Sequence, residues 1–134
     1  MDQAVRGEDG KLSLTGNFSE AGQYYAILFG KIDIYAPEYA RLNECVMNEF
    51  SEFSSELKNF VSVDCMPGYY LKMWTLMDLK KLDLLERSIK RFFGGMVDLT
   101  GTIWEYKPSR RKGSYDHGFA SYAALAAYIV DSNK

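Results

Sequence analysis

Histidine, cysteine and proline are scarce in this 134-residue chain, at 1, 2 and 3 residues, and each scarcity excludes something. One histidine, His117, cannot make a histidine-rich metal site within a single chain. Cys45 and Cys65 form no C-x-x-C pair and are too few for the dense disulfide framework of a small secreted scaffold, so reduced thiols are expected. Residues 1–16 are polar and acidic, with no basic region leading into an apolar run, and no uncharged apolar stretch reaches bilayer length. These features place the chain in a cytoplasm and away from membranes. Sixteen basic against 18 acidic residues leave a net charge of −2, which denies the chain the broad positive field that holds phosphates.

Apolar material is plentiful. At 47% hydrophobic and 15% aromatic, the chain has enough to build one core, and a single domain over 1–134 is expected, with 1–16 as a flexible N-terminal arm. Tyr39, Leu42, Val46, Phe50, Phe53, Leu57 and Phe60 recur at helical steps, which predicts an acidic-backed helix from Pro37 to about Phe60. Its seam must be covered by the rest of the chain or by a second copy, so a homodimer through this seam is one possible partner arrangement. Asn17 and Glu20 have capping-box spacing for a first helix from Ser19 to about Tyr35, although 31–35 also alternates with strand period. Pro67-Gly68 reads as a turn, and Tyr69 to Trp74 is compatible with helix or strand. Thr75 and Asp78 could cap a helix striped by Leu79, Leu82, Leu85, Ile89 and Phe92 and stopped by Gly94-Gly95. That helix is net basic, which favours packing against the acidic one. A hairpin over 96–107 turns at Thr100-Gly101, and Asp116 caps a last helix from about Gly118 to Val130 with a face of Phe119, Tyr122, Ala126 and Ile129. The fold class is mainly α (α+β): a bundle-like domain of three to four helices with one β-hairpin.

In that hairpin Asp98, Glu105 and Lys107 share a face, and two carboxylates beside a lysine could bind Mg²⁺ and activate water. The pattern resembles the D…E-x-K signature of the PD-(D/E)XK nucleases, without the proline that precedes their aspartate. The resemblance implies Asp98 and Glu105 as metal ligands and Lys107 as a charge stabiliser. The bland alternative is a hairpin with a charged outer face and no cofactor. The basic loop Lys107, Arg110, Arg111 and Lys112, interleaved with Trp104, Tyr106 and Tyr115, has the makeup of a contact site for single-stranded nucleic acid or for an acidic protein surface.

Tyrosine and tryptophan exceed what a core of this size readily buries, and such rings are enriched at the centres of protein interfaces. The chain therefore reads as a binding protein acting by protein–protein interaction rather than as an enzyme. An inhibitor or immunity-type protein of a nucleic-acid-acting enzyme is the specific version, since acidic surfaces complement basic clefts. The alternatives are the metal-dependent nuclease and a homo-oligomeric structural or adaptor protein.

Overall fold

A computed structural model describes residues 18–50, 60–105, 118 and 120–133, and over these the chain is mainly helical. It divides into two compact units, Met1–Val63 and Asp64–Lys134. The expected N-terminal arm, 1–16, lies outside the described residues.

The first unit opens with β1 (Phe18–Ser19), which runs directly into α1 (Glu20–Leu28). Ser19 caps α1: its Oγ accepts from the Gly22 N–H at 3.1 Å. A Cβ at Gly22 would come within 2.9 Å of that oxygen, so a side chain there would push the capping hydroxyl aside. Glu20, in the first turn, is buried, and its carboxylate accepts from the Val63 N–H at 2.8 Å and the Tyr24 hydroxyl at 3.3 Å. This anchor sits beside the only sheet among the described residues, a two-residue parallel pairing of β1 with β2 (Phe60–Val61), Phe18 opposite Phe60 and Ser19 opposite Val61.

Helix α1 stops well short of Tyr35. Gly30 takes φ 65°, and the Gly30 and Lys31 N–H groups donate to the Ile27 and Ala26 carbonyls, the paired bonds of a Schellman end. The following alternation is real in burial, with Ile32 and Ile34 inside and Lys31, Asp33 and Tyr35 outside, but it is carried by turns and not by a strand. The Asp33 carboxylate accepts from the Tyr35 N–H at 3.0 Å, a side-chain turn that competes with ladder bonding.

The second helix also departs from expectation. A 3₁₀ turn at Pro37–Tyr39 leads into α2 (Ala40–Met47), and the continuous helix to Phe60 is absent. The Glu49 and Phe50 N–H groups donate to the Val46 and Cys45 carbonyls, another Schellman end, with both residues at φ 53°. Tyr39, Leu42, Val46 and Phe50 of the seam are buried, so this part of it is not free to pair with a second copy. Phe50 meets Tyr24 edge-on at 5.9 Å. Phe60 belongs to β2, and Phe53 and Leu57 lie outside the described residues.

The second unit is a three-helix packing of α3 (Met66–Asp78), α4 (Leu82–Thr100) and α5 (Ala120–Ser132), each in contact with the other two. Pro67 occupies the first turn of α3, where its missing N–H costs nothing, and Tyr69 to Trp74 is helical. Thr75 is no cap: it is buried inside α3 and its hydroxyl donates to the Leu71 carbonyl at 2.8 Å. The end of α3 is again a Schellman motif, with Lys80 at φ 55° and Lys81 N–H on the Leu76 carbonyl.

Gly94-Gly95 does not stop α4, which continues to Thr100 and ends at Gly101, φ 71°. Residues 96–100 are therefore helical, 101–105 are irregular, and the 96–107 hairpin is not formed. Thr100-Gly101 does mark a chain reversal, but as a helix terminus. The buried face of α4 is Leu84, Leu85, Ser88, Phe92, Phe93 and Met96, rotated from the expected stripe, with Leu82 and Ile89 only half-buried. Tyr69 stacks on Phe92 with centroids 3.4 Å apart and meets Phe93 edge-on at 5.5 Å. Fully burying one such ring is worth roughly 1.5–3 kcal/mol, more than any exposed ion pair supplies. Helix α5 buries Ala123, Ala126 and Val130, small side chains that let the neighbouring helices approach closely, while Tyr122 and Ile129 lie half-buried. The expected caps, Asn17 and Asp116, are outside the described residues.

Candidate binding face

Of the residues expected to bind or catalyse, Tyr106, Lys107, Arg110, Arg111, Lys112 and Tyr115 fall outside the described residues. Trp104 is half-buried and folded back on the last turn of α4: its indole N–H donates to Thr100 Oγ1 at 2.7 Å and its backbone N–H reaches Met96 Sδ at 3.4 Å. Thr100 Oγ1 also donates to the Met96 carbonyl and lies 2.9 Å from Thr102 Oγ1. This corner fastens the chain after Gly101.

Asp98 is exposed on α4, and Glu105 is half-buried beyond the helix, with its carbonyl accepting from the Met66 N–H at 2.9 Å. The shared hairpin face that would have put both carboxylates beside one Mg²⁺ does not exist, because Asp98 is separated from Glu105 by a helix end. Among the described residues no group of three or more histidine, cysteine or acidic side chains could hold a metal ion. Nor is any described helix long and apolar enough to cross a membrane.

The residues that the helices do bring together are Tyr70, Trp74 and Tyr122. Tyr70 and Trp74 stand one turn apart on the flank of α3 that adjoins the buried Tyr69 and Met73. Their rings meet edge-on at 5.3 Å. Tyr122, from the flank of α5, lies 4.2 Å from Tyr70 and 6.5 Å from Trp74 between centroids. Trp74 is 41% exposed, and Tyr70 and Tyr122 are half-buried. Burial pushes the Tyr122 phenol up to about 12, helped by the repulsion a Tyr70 phenolate would exert and by its hydrogen bond to Tyr70. The phenol stays protonated at any physiological pH. The trio thus offers an uncharged aromatic platform with polar tips and restricted rotamers, the chemistry of an interface anchor.

Sequence reasoning singled out these rings as part of a surplus but not as a cluster. The one local signal was the four-residue step from Tyr70 to Trp74, and it was unreadable while 69–74 could be either helix or strand. Comparison with known proteins adds no kinship: no family model, no curated protein and no solved structure matches the chain.

Proposed function

We propose that the chain is a protein-binding module that uses Tyr70, Trp74 and Tyr122 as its anchor. The observation that carries this reading is a mutually packed trio of large aromatic rings left partly open to solvent, where a monomer's core would otherwise have covered them. A partner that covers Trp74 gains its remaining apolar area at little rotamer cost, since the neighbouring rings already restrict it. The narrower version, an inhibitor that complements a basic cleft, is favoured by the exposed Asp33 and Glu38 of the first unit. The nuclease reading loses its geometric premise with the hairpin and is not carried further.

The test is affinity capture by the full chain, compared with Trp74→Ala and with Tyr128→Ala, whose ring is also exposed but stands apart from the trio. A stoichiometric protein retained by the wild type and Tyr128→Ala, and lost with Trp74→Ala, is the expected result. Equal retention by all three chains would refute the anchor.

A further inference from the structure

Tyr70, Trp74 and Tyr122 present ring faces and hydrogen-bond donors but no formal charge. A tryptophan side chain can only donate, and the two tryptophans of this chain use that donor differently. The Trp104 indole N–H is satisfied within the fold by Thr100 Oγ1 at 2.7 Å, whereas the Trp74 indole N–H meets no acceptor among the described residues. The Tyr70 and Tyr122 hydroxyls bond to each other, which uses one O–H and leaves the second. Trp74 stands at 86° to the Tyr70 ring and at 40° to the Tyr122 ring, so the surface is stepped and not a flat stack. The two helices bring no charge to it. Lys72, between Tyr70 and Trp74 in sequence, is buried, with its ammonium 5.5 Å from the Tyr69 ring centroid. Asp78, one turn beyond Trp74, is exposed but is followed by Lys80 and Lys81, so this end of α3 selects neither sign. The one charged residue of α5, Asp131, lies more than two turns from Tyr122.

Resting on the anchor reading above, we propose that the trio docks a proline-rich segment of the partner in the polyproline II conformation. Charge complementarity carries the choice, at the level of dipoles. Proline has no N–H, and the polyproline II backbone makes no internal hydrogen bonds, so such a segment presents carbonyl acceptors and brings no donor that needs satisfying. The Trp74 indole N–H and the spare phenol supply the donors those carbonyls lack. Pyrrolidine C–H groups, polarised by the adjoining amide nitrogen, suit the negative faces of the rings. An α-helix fits less well, because its carbonyls are already bonded to its own N–H groups and leave the Trp74 indole without a backbone acceptor. An ordinary extended strand brings N–H donors for which the trio holds few acceptors.

The test uses the full chain in calorimetric titrations with two probes, an oligoproline peptide and an alanine-based helical peptide of equal length. Oligoproline should bind saturably, more tightly than the helical peptide, and equally well at low and high salt, since no ion pair forms. Trp74→Phe keeps an aromatic ring and removes only the donor, so binding should weaken about two- to tenfold, the worth of one hydrogen bond. Trp74→Ala should weaken it further and Tyr128→Ala should not, with circular dichroism confirming that the variants remain helical. Failure of oligoproline to bind, preference for the helical peptide, or affinity that collapses with salt would overturn the proposal. So would wild-type binding by Trp74→Phe, because the indole donor would then play no part. A two-chain mass in light scattering that falls to one chain in Trp74→Ala would also overturn it, by making a second copy the occupant. If oligoproline fails while capture of a partner still depends on Trp74, only the proline-rich chemistry falls; capture that ignores Trp74 removes the anchor and this inference with it.

Discussion

The two units hold themselves together by different means. The first has short helices, α1 and α2, and adds polar ties to an apolar core of Tyr24, Ile34, Leu42, Val46 and Phe50: a buried Glu20 carboxylate bonded to the Val63 N–H and the Tyr24 hydroxyl, a Ser19 cap, and an Asn43 side chain on the Ile34 carbonyl at 3.2 Å. The second has three longer helices joined by apolar surface, with Tyr69, Phe92 and Phe93 stacked at its centre and alanines admitting α5. In a unit whose helices are too short to bury long stripes, directional bonds add to the core, and each rests on a few groups. A packed aromatic core spreads its stability over many weak contacts. The second unit leaves Trp74 open, since its core is complete without it.

The largest expected break in this comparison is Phe92→Ala, which removes the ring stacked on Tyr69 and should cost about 3–5 kcal/mol. In hydrogen exchange the loss of protection should concentrate in 66–100 and spare α1; uniform loss would show that the units do not differ in this way. Glu20→Ala is next, at about 2–3 kcal/mol, because it strands a buried backbone donor and a buried hydroxyl. A urea midpoint that hardly moves would remove the carboxylate as the organising group of the first unit. Glu49→Gly should stabilise by about 0.5–1 kcal/mol, as relief of the left-handed backbone outweighs the added chain entropy. Gly101→Ala, at the matching end of α4, should destabilise by a similar amount. The smallest effect concerns pH. The Tyr122 pKa is raised on folding, so its contribution is complete below its ordinary value of 10.0 and is lost as pH climbs toward about 12. Absorbance titration at alkaline pH should show a late-ionising phenol that Tyr122→Phe removes.

None of the four left-handed helix ends was placed by residue pattern: the first helix was expected to run past Gly30 to about Tyr35, and Gly101 was expected in a hairpin turn. Gly30 and Gly101 hold residue types suited to that backbone, whereas Glu49 and Lys80 hold types that carry no such signal. The helix ends at Met47 and Asp78 were accordingly missed, and Thr75 was taken for a cap when it sits in mid-helix. Gly94-Gly95 gave the opposite error, a breaker signal in a helix whose packed face overrides a propensity loss of about 1 kcal/mol per glycine. That error produced the hairpin, and with it the shared face of Asp98 and Glu105.

Local residue chemistry by itself determined that this is a mainly helical chain, that a first helix begins near Ser19, and that Leu85 and Phe92 face inward. These follow from periodicity and side-chain type, which act within a turn or two. Tertiary structure alone decided where α2 and α3 stop, that 96–100 stays helical, that Glu20 is spent on Val63, and that Tyr122 joins Tyr70 and Trp74. Each of those depends on burial or on partners distant in sequence, where many weak contacts outweigh the one or two kcal/mol of local preference.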